Sequence, residues 1–167
     1  ALKRITPYQR EDVILGLDSP DDAAITRLPE GACGVHTVDF FRSFVNDPYL
    51  LGQITAIHCL NDVLAMGGTP QAALAQVTLP HAVPEASAEL LYQLLSGLNS
   101  VLKINQTTLA GGHTTLGSEL ELGLTVEGHV HPDKMIRKLG MLDTLGSLVI
   151  TYLAITVPFT VFILIPF

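Results

Sequence analysis

Apolar positions along this chain switch between a period near two and a period near 3.6, and the switches mark out strands alternating with helices. Residues 13–15 (Val-Ile-Leu) and 23–25 (Ala-Ala-Ile) read as short strands around a turn at 18–22 rich in Asp, Ser and Pro. A turn at 31–34 leads into a strand over 35–41. Leu50, Leu51, Ile54, Ile57, Leu60, Val63 and Leu64 then recur at helical spacing, which predicts a helix over 48–66. Asp47 suits its N-cap, Pro48 suits the first helical position, and Gly67-Gly68 stops it.

Residues 72–79 are largely apolar and read as a strand covered on both faces. After a loop at 80–84, a second helix is predicted over 84–103. Pro84 opens it, Glu85 and Glu89 sit near its positive end, and its stripe is Leu90, Leu91, Leu94, Leu95, Leu98, Val101 and Leu102. Residues 107–110 read as a strand ending in Gly111-Gly112-His113. Residues 120–130 alternate, with Leu122, Leu124 and Val126 on one face, and 148–152 read as a last strand. The polar stretch 1–12 is expected to fray. Two long helices among these strands predict an α+β domain with the helices packed on one face.

Composition narrows the function classes. The chain has 167 residues, enough for one domain with a core, and a formal net charge of −7. An acidic surface disfavours nucleic acid and anionic membranes as partners. Aromatics are few and Trp is absent, which disfavours a base-stacking platform. Cys33 and Cys59 match no disulfide or zinc spacing, and Cys59 falls within the first helix as a small buried side chain. A reduced, cytoplasmic setting follows as the expectation. From Leu145 to Phe167 no charged residue occurs, long enough for a membrane span. Pro158, Pro166 and the abundance of Val, Ile, Thr and Phe favour buried strands or a docked apolar tail instead.

The candidate chemistry lies in a few polar groups at element ends. Asp21, Asp22, Asp39 and Asp62 come from separate elements, and carboxylates converging in that way can hold Mg²⁺ together with phosphate oxygens. Spacing alone favours Asp21 and Asp22 as turn formers and Asp39 as a cap. Asp62 sits in an apolar helix, where a buried carboxylate needs a cation, an Arg or a metal. His58, one turn earlier, can reach it or can equally be a core histidine, and Asn61 can satisfy local backbone or touch a ligand. Gly111-Gly112 after a strand allows close approach of a phosphate, or simply a tight turn. His129 and His131 would share a strand face and are expected to be solvated edge histidines.

Three segments in this order, DDAAI at 21–25, DFF through NDVLAMGG at 39–68, and AGGH at 110–113, resemble the N-terminal ATP-binding domain of the selenophosphate synthetases (selenide, water dikinases). These belong to the superfamily of aminoimidazole ribonucleotide synthetase. The resemblance implies a mixed sheet backed by helices and a homodimer in which two sheets meet as a barrel. It implies ATP and Mg²⁺ as cofactors, with Asp21 or Asp22 and Asp62 as metal ligands. Asp39, Asn61, Gly111, Gly112 and His113 would lie at the nucleotide. No residue is assigned as catalytic.

The resemblance runs from about Asp18 to about Thr151, and the domain is expected over 13–151, with 152–167 as an apolar tail unrelated to the family pattern. The family's Cys and Lys in a glycine-rich segment have no counterpart before Cys33, and a second domain is expected to be missing. The chain is therefore expected to be an incomplete fragment of a phosphotransferase that makes selenophosphate from ATP, selenide and water. A scaffold or dimerisation module of the same fold is the alternative, as is a related ATP-dependent enzyme with another small acceptor. The text TTLGSELELG after His113 departs from many stand-alone synthetases and bears on the acceptor.

Overall fold

The computed structural model describes residues 1–17 and 23–136, which fall in one unit, Ala1–Ile136. Asp21 and Asp22, the strand expected at 148–152 and the tail 152–167 lie outside the described residues.

Six strands and two long helices make up this unit. They are β1 (Val13–Leu15), β2 (Ile25–Thr26), β3 (Cys33–Arg42), α1 (Pro48–Ala65), β4 (Thr69–Pro80), α2 (Pro84–Ile104), β5 (Thr108–Gly117) and β6 (Glu121–Val130). β1 and β2 pair alone, and the main sheet has the order β3-β6-β4-β5. β6 runs antiparallel to both neighbours, whereas β4 and β5 are parallel. The units β3-α1-β4 and β4-α2-β5 are thus two crossovers that step in the same direction along the sheet. Crossovers of one hand that step the same way place their helices on one face. α1 and α2 accordingly pack on each other and on the same side of the sheet, and the expected α+β architecture is the one observed.

The core lies between that face and the helices. Leu122, Leu124 and Val126 of β6 meet Ala73, Ala75, Val77 and Leu79 of β4 under Leu51, Cys59, Leu60 and Val63 of α1. α2 adds Leu94, Leu95, Leu98 and Leu102. The α2 stripe matches its sequence pattern, but the α1 stripe does not. Leu50, Ile57 and Leu64 are exposed, and Gly52, Thr55 and Ala56 are buried in their place. α1 is apolar on several sides, so its sequence leaves the buried face undecided until α2 chooses it. Gly52 and Gly97 make that choice: a Cβ on Gly52 would stand 2.2 Å from Leu94 O, and one on Gly97 1.9 Å from Tyr49 O. Backbones this close admit only glycine.

The Asp47 cap forms as expected, its carboxylate accepting from Leu50 N–H at 3.1 Å. β4, expected to be covered on both faces, carries helices on one. Its other face continues into His36, Val38, Phe40 and Arg42 of β3, all exposed. β5 runs beyond its expected end, through Gly111, Gly112 and His113 to Gly117, after a register shift near Ala110.

The segment expected to fray is tied down instead. Asn99 donates to Thr6 O at 2.9 Å and Thr108 to Tyr8 O at 2.8 Å. Arg10 pairs with Asp12 at 2.6 Å and donates to Gln106 O at 3.0 Å. The Arg10 guanidinium holds the Asp12 carboxyl below the usual carboxylate range. Among the described residues no helix is long and apolar enough to cross a membrane.

Candidate functional site

The edge strand β3 and helix α1 bring four polar side chains together. Alternation along β3 points Val35, Thr37, Asp39 and Phe41 towards the helices. On α1, His58 and Asp62 lie one turn apart on the side that meets β3. The Thr37 hydroxyl donates to Asp62 Oδ2 at 2.7 Å. His58 Nδ1 lies 2.9 Å from Asp39 Oδ2, and since a carboxylate only accepts, the imidazole donates from Nδ1. The His58 ring is further held edge-on against Phe41, with centroids 5.0 Å apart.

Two expectations change here. Asp62 is exposed rather than buried, and the Thr37 hydroxyl is the side chain that meets it. His58 meets Asp39 across the strand–helix boundary rather than Asp62 along its own helix, because β3 lies closer to its ring nitrogen than the next turn does. Thr37 was missed by sequence reasoning. Its signal was present, since position i−2 on a strand shares a face with Asp39. Asn61 is exposed on α1 and joins neither pair.

Cys59 sits beneath these acids with 0% exposure. Burial pushes its thiol up to about 12, and the negative charges of Asp39 and Asp62 add to the effect. It is a packing residue and not a nucleophile at neutral pH.

No group of three or more His, Cys, Asp or Glu side chains among the described residues is placed to hold a metal ion. Asp39 and Asp62 therefore form at most a partial donor set. Each uses Oδ2 in its protein hydrogen bond, and among the described residues no further hydrogen bond reaches either carboxylate. Two such carboxylates, completed by water and phosphate oxygens, are the usual protein share of a Mg²⁺ site. The residues present fit that ion.

Gly111, Gly112 and His113 are not beside the acids. They lie on β5, the opposite edge of the sheet from β3, and three interstrand steps separate the edges by about 14 Å. Gly112 has φ 152°, and a Cβ there would stand 2.0 Å from Ala75 O, so the glycine lets β5 lie close on β4. Gly111, Gly112, His113 and Thr114 border a cavity of about 70 Å³ with Leu17, Val77, Leu95 and Leu109. These glycines are residues of a strand that forms the sheet edge among the described residues, rather than of a loop.

His129 and His131 do not act as a pair. β6 is an inner strand, and His129 is half-buried with an Nδ1 that has no partner among the described residues. His131 follows the strand and accepts from Asp133 N–H at 3.3 Å.

The family model described as AIR synthase related protein, N-terminal domain, matches residues 20–130. A selenide, water dikinase from Caldanaerobacter subterraneus subsp. tengcongensis is 44% identical over 127 residues, which is 76% of this chain and 36% of that protein. A thiamine-monophosphate kinase from Stenotrophomonas maltophilia superposes with a TM-score of 0.67 at 28% identity, over 77% of this chain and 40% of that one. The hydrogenase maturation protein HypE, solved in complex with ATP, shares the fold with a TM-score of 0.53 at 17% identity, over 70% of this chain and 36% of its own. The chain spans about a third of the length of the curated relatives it matches.

Proposed function

The chain belongs to the AIR synthase related family as its N-terminal domain, and from that premise we propose that it is the ATP-binding domain of a selenide, water dikinase-type phosphotransferase. The observation that carries this reading is the pair Asp39 and Asp62, each bonded through one oxygen to a protein donor and, among the described residues, each keeping the other. Such a pair is a ready partner for a metal-bound phosphate chain. Mg²⁺, when bound, neutralises charge on the phosphates. Asp39 and Asp62 would hold it, together with Asp21 or Asp22. Asn61 is assigned to the nucleotide by resemblance.

Gly111, Gly112 and His113 would receive the nucleotide from the β5 edge, where glycine leaves the backbone open to phosphate. Because the acids and the glycines occupy opposite edges, one chain does not bring them together. A homodimer with the open sheet faces apposed would do so, and Val38 and Phe40, 63% and 49% exposed, supply the apolar contact. Selenide is the acceptor suggested by the names of the relatives, and the cytoplasm is the setting in which such a chain with free thiols would work.

Titration calorimetry of ATP into the chain, with and without Mg²⁺, tests the reading. Metal-dependent binding that disappears in Asp62→Asn is the expected result. A folded wild-type chain that binds no Mg²⁺·ATP would sink it and favour a scaffold module of the same fold. The likeness to a thiamine-monophosphate kinase keeps a different small acceptor as the second reading. Single-turnover phosphoryl transfer with selenide, or with thiamine monophosphate, in the presence of the rest of the relatives' fold separates the two.

A further inference from the structure

The four side chains at the β3–α1 boundary form two rungs of a ladder. Thr37 and Asp39 are two residues apart on a strand, about 6.6 Å along it. His58 and Asp62 are four residues apart on a helix, about 6.0 Å along its axis. The near match of these rises, with the strand and helix running in opposite directions, sets Thr37 against Asp62 and Asp39 against His58. Each element contributes one donor and one acid, in opposite order. A hydroxyl and an imidazole N–H fix one oxygen apiece and, among the described residues, leave the other uncommitted.

Resting on the metal–phosphate reading above, we infer that Thr37 and His58 are positioning residues that hold Asp62 and Asp39 as one-oxygen ligands. They thereby set the cation preference of the site. A carboxylate whose Oδ2 is held by a protein donor does not swing to chelate with both oxygens. Ca²⁺ takes six to eight oxygens at long distances and favours such chelation, whereas Mg²⁺ and Mn²⁺ keep water and accept one oxygen from each of one or two carboxylates. The two rungs therefore favour the small octahedral ions. Thr37 does this through a hydroxyl at 2.7 Å and His58 through Nδ1 at 2.9 Å, with its ring orientation fixed by Phe41.

The test measures cation affinity directly, by Mn²⁺ electron paramagnetic resonance and Ca²⁺ calorimetry on the whole chain at fixed ATP. Thr37→Val keeps the shape and removes the hydroxyl; His58→Phe keeps a ring against Phe41 and removes the N–H. Each is expected to weaken Mn²⁺ binding about tenfold, the lower range for loss of a partner behind a metal ligand. Ca²⁺ affinity is expected to stay level or rise, so the Mn²⁺/Ca²⁺ preference falls, and Thr37→Ser restores it. Melting temperatures, read in the same samples, separate this effect from loss of fold, and either variant alone suffices if the other does not fold. Wild-type affinity and preference in both variants, with Asp62→Asn losing Mn²⁺, would overturn the positioning role alone. A wild-type chain that binds no Mn²⁺ with ATP would overturn the metal–phosphate reading beneath it.

Discussion

Thr37 Oγ1 lies 2.7 Å from Asp62 Oδ2, so the acid that helix α1 presents at the sheet edge is met by a neutral donor. Its negative charge is left uncompensated within the pair. An exposed charge in that condition contributes little to stability, because solvent screens it. An acid whose partner were an Arg would differ in both respects.

Removing that charge should therefore be nearly silent in the free protein. Asn at position 62 still accepts from Thr37. Asp62→Asn is expected to keep its melting temperature within about 2 °C of wild type in metal-free buffer, the usual range for a surface change. Calorimetric melting checks this. A fall of about 5 °C or more would mean the charged hydrogen bond is a principal strut of the β3–α1 junction.

The α1–α2 crossing should be far less tolerant. A Cβ on Gly97 would stand 1.9 Å from Tyr49 O, a backbone atom that cannot turn aside. Alanine in a helix gains about 1 kcal/mol over glycine, but forcing packed backbones apart costs about 3 kcal/mol. Gly97→Ala is expected to lose about 2 kcal/mol net by urea unfolding. A more stable variant would show that the helices separate freely at this point.

The two cysteines should divide by accessibility. Cys33 is exposed, whereas Cys59 is buried and its thiol is pushed up to about 12. One thiol per native chain is expected to react with an aromatic disulfide reagent at pH 8, and the second only on unfolding. Cys33→Ser should abolish the native reaction. Equal rates for both would contradict the burial of Cys59.

Alkaline stability follows from the same burial. The folded pKa of Cys59 lies above its ordinary value of 9.0, so the native state holds the proton longer than the unfolded chain does. Its contribution is complete below about pH 9 and is lost as pH rises towards 12, by at most about 1.4 kcal/mol per pH unit. Cys59→Ala should flatten that part of the stability–pH curve. An unchanged slope would assign the loss to other groups.

The open sheet face should decide the oligomer. Val38 and Phe40 are exposed on β3, and Phe40 lies over Gly123 of β6. On the proposed homodimer, the wild type is expected to sediment as a dimer and the double Glu replacement as a folded monomer. A wild-type monomer would remove the dimer from the proposed function.

Local pattern alone determined most of the elements. The Asp47 cap, both helices, the α2 stripe and the alternation of β6 follow from periodicity and capping, which depend on near neighbours. Three short motifs carried the family, since they hold residue types rather than geometry. Tertiary structure decided the rest. Which side of α1 is buried depends on where Gly52 meets α2, and an all-round apolar helix cannot declare that by itself. That His58 belongs to Asp39, and Asp62 to Thr37, depends on β3 lying alongside α1. That Gly111–His113 stand on the far edge depends on β5 pairing with the side of β4 that faces away from β6 and β3. Each is a contact between residues distant in sequence, set by packing and strand order, on which spacing along the chain is silent.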